Sequence, residues 1–273
     1  MANMPVYGDE PMARPLFSYA GSKAKLARWH TTLYPPVERH VSVFGGLATD
    51  LLYRSPTGME IWNDIDADLH NMFSVIREPD TCEALRRLLL WTPDGRRQCG
   101  ECKAALDDSD PVRRAWAFLV VASTGDMRGF VRRRTWYNSK HLLYSLPERL
   151  GWWRDRLRRV KLECLPWREV VDRYDKEGTL LYCDPPYHPE TLSSQGKLYR
   201  FALSAHEHVE LLERLRQCRA LVLLCGYPHP TYDSVLSDWV QLETRSKCVM
   251  GSRGPRTERV WLNYQPSGER IHG

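Results

Sequence analysis

Along this chain, short apolar runs closed off by glycine or proline alternate with longer segments in which apolar residues return every three or four positions. That alternation predicts strands and helices taking turns. Strands are expected at residues 40–44, 59–62, 160–165, 180–183 and 221–225, with a final pair at 239–244 and 259–263 around a turn region at 251–255. Helices are expected at 24–33, 47–54 and 69–76, around Val170, and at 205–217, where Ser204 and Glu207 have the spacing of a capping box. The runs at 180–183 and 221–225 are apolar throughout rather than alternating, as strands buried on both faces require. Strands and helices in turn imply an open α/β sheet.

The pattern breaks between residues 77 and 159. Pro79, Pro93, Gly95, Gly100 and Pro111 interrupt short helical pieces, a longer helical period covers 113–123, and the strand signal weakens. We read 1–76 and 160–273 as one α/β domain and 77–159 as an inserted, mainly helical module. Charge sharpens the division. The whole chain of 273 residues carries +5, but 77–159 holds 18 Lys/Arg against 11 Asp/Glu, so the insert is +7 and the remainder −2. Its densest part interleaves Arg128, Arg132, Arg133, Arg134, Lys140, Arg149, Arg154, Arg156, Arg158 and Arg159 with Phe130, Trp136, Tyr137, Trp152 and Trp153. Basic residues among aromatics suit a polyanion with stackable bases; a solvated helix face is the plainer alternative.

Other classes recede. No apolar run approaches the ~18 residues of a membrane span, and the N-terminus lacks the order of a secretory signal, so a cytoplasmic protein without membrane association is expected. The eight cysteines are scattered, and the one close pair, Cys99 and Cys102, has no second pair to complete a zinc site. No metal is expected.

The chemistry concentrates where the 180–183 run stops in Asp184, Pro185, Pro186 and Tyr187. Ligands of open α/β sheets bind beyond the carboxyl ends of the strands, and the two prolines stiffen the backbone while leaving its carbonyls free to accept. An acid, a rigid carbonyl and a flat ring suit a planar molecule bearing an exocyclic amine; a surface turn is the bland reading. Upstream, a strand runs into Phe44, Gly45 and Gly46 and then a helix, the opening unit of a nucleotide-binding α/β fold. Two adjacent glycines do not make the G-x-G-x-x-G diphosphate fingerprint, so a ligand carrying adenosine without phosphates fits better. Asp64 follows at the spacing at which this architecture holds ribose hydroxyls, with an N-cap for the next helix as its alternative. Gly21 and Ser22, ahead of the first helix, are candidates for the polar end of the same ligand, or a plain capped turn. The polar loop 188–201, with Lys197, Tyr199 and Arg200, could close over a bound base.

Three features agree in order and spacing: Tyr19, Ala20, Gly21, Ser22 and Lys23; then Val43, Phe44, Gly45 and Gly46 with Asn63 and Asp64; then Asp184, Pro185, Pro186 and Tyr187 after a basic insertion. Together they closely resemble the Dam-like, alpha-group adenine-specific DNA methyltransferases, in the style of compact members carried by phages and prophages. The resemblance covers residues 16–77 and 160–263, including Thr257, Glu258, Arg259, Val260, Trp261, Leu262 and Asn263. It implies a Rossmann-like, seven-stranded, mostly parallel methyltransferase sheet ending in an antiparallel hairpin, with 77–159 as the target-recognition module. It also implies S-adenosylmethionine as methyl donor, S-adenosylhomocysteine as product, and duplex DNA as partner of a monomer or weak dimer in a bacterial or phage-infected cell. Phe44, Gly45, Gly46 and Asp64 would then hold the donor, Tyr19 and Lys23 would lie around donor and catalytic pocket, and Asp184, Pro185, Pro186 and Tyr187 would hold a flipped-out adenine. Arg128, Arg132, Arg133, Arg134, Lys140, Lys197, Tyr199 and Arg200 are the expected DNA contacts. Family members often carry an acid near Leu165, Pro166 and Trp167 that touches the donor's adenine; Pro166 stands there here, which leaves Trp167 and backbone groups for that contact. The alternatives are a methyltransferase for another amine, in RNA or a protein glutamine, and a catalytically silent DNA-binding regulator.

Overall fold

A computed structural model describes residues 14–17, 24–125, 131–136, 142–192, 199–247 and 255–266. Its centre is a seven-stranded sheet built from β1 (Arg39–Ser42), β2 (Met59–Asn63), β3 (Val160–Glu163), β4 (Thr179–Cys183), β5 (Leu221–Gly226), β6 (Val240–Lys247) and β7 (Pro255–Leu262), in the order β3-β2-β1-β4-β5-β7-β6. β7 runs antiparallel to both neighbours, and the other pairings are parallel. The chain steps from β1 outward through β2 to β3, then returns to β4 on the other side of β1. Strand order therefore reverses between β1 and β4, the position where such sheets open a crevice.

The helices are α1 (Ala24–Thr32), α2 (Thr49–Leu52), α3 (Ala67–Arg77), α4 (Pro79–Leu90), α5 (Arg96–Ala104), α6 (Pro111–Thr124), α7 (Leu142–Leu157), α8 (Trp167–Tyr174), α9 (Ala205–Arg216) and α10 (Pro230–Val235). Their starts follow local chemistry. Asp66 and Asp110 accept N–H groups from the first turns of α3 and α6, and Pro111 occupies a first-turn position where a missing N–H costs nothing. Ser204 and Glu207 form the reciprocal capping box expected for α9.

Every residue of β4 is buried, which explains its unbroken apolar run. Leu181 and Cys183 pack on one face with Val170, Leu211 and Trp261; Leu180 and Tyr182 pack on the other with Leu33, Leu223 and Val260. The helices of the 77–159 segment do not stand apart: Leu85, Leu119, Leu146 and Trp153 join one apolar cluster with Trp62, Leu69 and Phe73 of β2 and α3. Cys99 and Cys102 belong to this cluster, and burial pushes the Cys102 thiol up to about 11.

Polar groups also tie the sheet together. Glu60 on β2 takes both Arg156 (2.6 and 2.9 Å) and Arg54 (3.0 Å) in a buried cluster. Beneath the first turn, Asp50 accepts from Ser42 at 2.5 Å and lies 2.7 Å from the fully buried His40 ring. No helix among the described residues is long and apolar enough to cross a membrane.

Candidate active site at the carboxyl ends of the central strands

A cavity of about 370 Å³ opens where β1 and β4 end, a volume suited to a small-molecule ligand. Phe44, Gly45 and Gly46 line one wall, Asp64 and Trp167 another, and Asp184, Pro185, Pro186 and Tyr187 a third; Tyr199 and Arg200 also reach it. These residues lie far apart in sequence, and the sheet brings them together.

The glycine turn is built by close approach. β1 stops at Ser42, two residues before the expected end, because the chain bends at Phe44 so that the Gly45 N–H can donate to the Asn63 carbonyl at 2.6 Å. A side chain at Gly45 would drive its Cβ to 2.2 Å from Trp62 Nε1, and Gly46 adopts φ +47°, in the left-handed region. Asp64 then clasps the turn: its carboxylate accepts the Gly46 N–H at 2.9 Å and the Asp66 N–H at 2.8 Å. A carboxylate offers about four lone-pair directions, so two remain for a ligand's hydroxyls. Burial raises the Asp64 carboxyl to about 6 despite the two backbone N–H groups that favour its charge. The N-cap role falls to Asp66, not Asp64.

Asn63, which the sequence reading did not single out as a site residue, holds the third loop in place. Its buried amide donates to Val43 O (2.9 Å) and Leu165 O (3.1 Å), and its oxygen accepts the Leu165 N–H (2.9 Å). One side chain thus sets the spacing of the ends of β1, β2 and β3. Trp167, at the start of α8, faces the cavity with the Arg168 guanidinium 4.8 Å from its ring centroid.

On the β4 side, Asp184 is half-buried at the strand end and Tyr187 almost fully buried. The Tyr187 hydroxyl donates to Glu258 at 2.6 Å, and its ring meets Tyr227 edge-on at 4.3 Å. Glu258 and Tyr227 were not identified as site residues from sequence; a conformation-fixing role leaves no motif of its own.

The basic candidates separate. Arg134 is 1% exposed, with its guanidinium donating to Ala122 O at 2.6 Å and lying 5.9 Å from the Phe17 ring, so as folded it is a core residue and does not present itself to DNA. Arg132 grips Asp68 at 2.5 and 2.9 Å and Asp107 at 2.9 Å, so in this fold its guanidinium is engaged by carboxylates. Arg200 donates to Asp66 (3.1 Å) and to Asp68 (2.8 Å) and is a wall of the cavity, not an open cation. Burial works against the Asp68 charge, but these guanidinia hold its carboxyl below the ordinary range. Arg149, Arg156 and Trp153 are also buried. Burial within a folded insert is invisible to a count of charges. Arg133 is exposed. Tyr19, Gly21, Ser22, Lys23, Arg128, Lys140 and Lys197 lie outside the described residues.

Residues 128–228 match the family model of the D12 class N6 adenine-specific DNA methyltransferases. The chain is also 24% identical over 280 residues to a DNA adenine methylase of Salmonella typhi, across 93% of this chain and 96% of the relative, and equally to one of Salmonella typhimurium strain LT2. A further DNA adenine methylase of Salmonella typhimurium is 25% identical over 249 residues, 84% of each chain. The acid, prolines and ring after β4 fall inside the matched segment, and the relatives extend the likeness to nearly the whole chain: what it resembles is the N6 adenine-specific DNA methyltransferases.

Proposed function

We propose that the chain methylates the exocyclic amine of an adenine turned out of duplex DNA, with S-adenosylmethionine as donor and S-adenosylhomocysteine as product. The observation that carries this reading is that the Asp184, Pro185, Pro186 and Tyr187 stretch and the Phe44, Gly45, Gly46 and Asp64 set line one cavity. The cavity suits the donor: a carboxylate with spare lone pairs for a ribose diol, a glycine turn without side chains, and the Trp167 ring for a flat base. Bound there, the donor would supply an electrophilic methyl group on a sulfonium.

The chain's own residues have to position and polarise. An adenine amine inside a duplex is stacked and paired, so the base has to leave the helix to be reached. Tyr187 offers a ring to replace the lost stacking, which is worth about 1 to 3 kcal/mol per base. Asp184 and the Pro185 carbonyl accept the two amine hydrogens, drawing the nitrogen toward tetrahedral geometry with its lone pair directed at the methyl group. Pro186 keeps that acceptor pair stiff. Proximity supplies much of the rate, and Asp184 need not be a strong base because the proton leaves readily once the nitrogen is methylated. Segment 77–159 serves as the target-recognition module, with Arg128, Arg133 and Lys140 as phosphate contacts, and the family resemblance alone assigns Lys23 to the catalytic pocket.

The test is transfer of labelled methyl from S-adenosylmethionine to duplex DNA, with RNA and protein as competing acceptors, followed by methylation-aware sequencing of the product. Duplex DNA labelled at adenine, with transfer lost in Asp184→Ala, is the expected result. Wild-type transfer by Asp184→Ala would overturn the assignment of Asp184, and preference for RNA or protein would overturn the choice of substrate.

A further inference from the structure

Immediately after Tyr187, two loops bring together imidazoles and a carboxylate that the chemistry above does not use. His188 follows β4 and His229 follows β5, and their rings stack with centroids 3.9 Å apart. Glu190 places a carboxylate oxygen 3.1 Å from His229 Nε2. One ligand atom each from His188, Glu190 and His229 lies within 4.8 Å of the other two. All three line an open cleft with Thr191, His206 and Pro228.

An ordinary hydrogen bond accounts for His229 with Glu190. It does not account for His188, which is only 4% exposed on the same cleft, with Nδ1 shut away from solvent and from any hydrogen-bond partner among the described residues. The backbone holds both rings in advance. His188 precedes Pro189 and His229 precedes Pro230, and a residue before proline is confined to extended geometry; His188 has ψ 130° and His229 has φ −152° with ψ 138°.

We propose that His188, Glu190 and His229 bind a single divalent transition-metal ion of the zinc class. Two imidazole nitrogens and one carboxylate oxygen are a borderline donor set, matched to Zn²⁺, Co²⁺ or Ni²⁺ rather than to the all-oxygen shells of Mg²⁺ or Ca²⁺, and the open cleft leaves a coordination position for water. The proton balance closes. His229 Nδ1 accepts the Thr231 N–H at 3.3 Å, so the neutral ring carries its proton on Nε2 toward Glu190. Ligation through Nε2 moves that proton to Nδ1 and gives up the long Thr231 bond, while the Nε2 lone pair forms the bond to the metal. The ion would join the loop bearing Tyr187 to the loop bearing Tyr227, whose rings already meet at 4.3 Å, and so clip one wall of the base cavity.

The test is titration of the tag-free full chain with Co²⁺ and Zn²⁺ alone, without DNA or methyl donor, so that its outcome is independent of the methyl-transfer assignment. One equivalent of Co²⁺ should bind with visible d–d absorption, be displaced by Zn²⁺, and Zn²⁺ should raise the thermal midpoint. Glu190→Gln should weaken Co²⁺ binding at least tenfold and His229→Asn should abolish it. Glu190 is exposed, so its replacement does not endanger folding, and if His229→Asn fails to fold in chelator the Glu190→Gln titration decides. Absence of a one-equivalent site, affinity unchanged in Glu190→Gln, or a spectrum dominated by thiolate charge transfer would each overturn the proposal, leaving a buried water as the partner of His188 Nδ1.

Discussion

The Tyr187 hydroxyl donates to the Glu258 carboxylate across 2.6 Å with both groups buried, so the ring that follows β4 is fixed from β7, two strands away in the sheet. Tyr227 completes the clamp by meeting that ring edge-on. If Tyr187 is the platform for an extruded base, its value depends on the angle at which Glu258 holds it. Glu258→Ala should slow methyl transfer by roughly tenfold or more, since a hydrogen bond to a charged group contributes about 1.5 to 3 kcal/mol. Donor affinity should be unchanged, because Glu258 lies on β7 and Asp64 follows β2, with β1, β4 and β5 between those strands. Glu258→Gln, which keeps an acceptor, should recover most of the rate. Single-turnover transfer set beside donor-binding calorimetry separates the two effects; equal loss in the Ala and Gln variants would argue against a positioning role.

If Asp64 holds the donor's ribose hydroxyls as proposed, the donor's affinity should depend on pH. Its carboxyl is raised to about 6, chiefly by burial, so it is ionised above that pH and protonated below it. The sign follows: only the ionised form offers both oxygens to hydroxyl donors. Donor dissociation constants should therefore be flat above about pH 7 and rise as pH falls through about 6, approaching tenfold per unit in the limit of one linked proton. The same raised value means that the folded state takes up this proton more readily than the unfolded chain, so ionised Asp64 costs stability above about pH 6 and the cost is relieved on acidification. Asp64→Asn should remove the pH dependence and weaken binding at about pH 8 by roughly ten- to hundredfold, the range for hydrogen bonds to a charged group. Calorimetric titrations across about three pH units spanning the linked proton check both points.

Much of the fold was legible because its signals are local. Continuous apolar runs gave β4 and β5, alternation and glycine gave β1 and its turn, and Ser204 with Glu207 gave the start of α9. The three cavity walls were legible because each sits at a strand end whose position the apolar pattern marks. What escaped depends on the third dimension. Arg132 and Arg134 read as open cations in one dimension, yet Asp68 and the Ala122 carbonyl engage them in the fold, and Asn63 and Glu258 act through partners as far as 102 and 71 residues away in sequence. Nor does the order Asp64, Asp66, Asp68 tell that the first clasps the glycine turn, the second caps α3 while sharing Arg200, and the third takes Arg132 together with Arg200.

The two glycines of the turn should respond differently to substitution. A Cβ at Gly45 would fall 2.2 Å from the indole nitrogen of Trp62, which is fully buried and has no room to yield. A Cβ at Gly46 would meet nothing within 4 Å, so a side chain there is opposed only by the φ of +47°. Gly45→Ala should lower stability by about 1 to 3 kcal/mol, the usual cost of overpacking a filled core. Gly46→Asn should cost well under about 1 kcal/mol, since asparagine tolerates the left-handed region. Urea unfolding of the two variants under one set of conditions gives the comparison, and a Gly46→Asn loss as large as that of Gly45→Ala would mean that backbone strain, not the Trp62 contact, dictates the turn.

Neighbouring arginines of the basic segment should fail in different assays. Arg133 is exposed, whereas Arg134 is buried with its guanidinium on the Ala122 carbonyl. Every phosphate that a protein cation neutralises steepens the fall of log affinity with log salt by about 0.9, while a core arginine affects that slope only through the fold it maintains. Arg133→Ala should therefore weaken DNA binding and reduce the salt slope by roughly one, with thermal stability unchanged. Arg134→Ala should leave the salt slope of the folded fraction intact but destabilise the protein by about 1 to 3 kcal/mol, because the Ala122 carbonyl is left buried without its donor. Binding isotherms over a salt series, paired with melting curves, distinguish the two. A flattened slope in Arg134→Ala at undiminished stability would show that this side chain leaves the core to meet DNA.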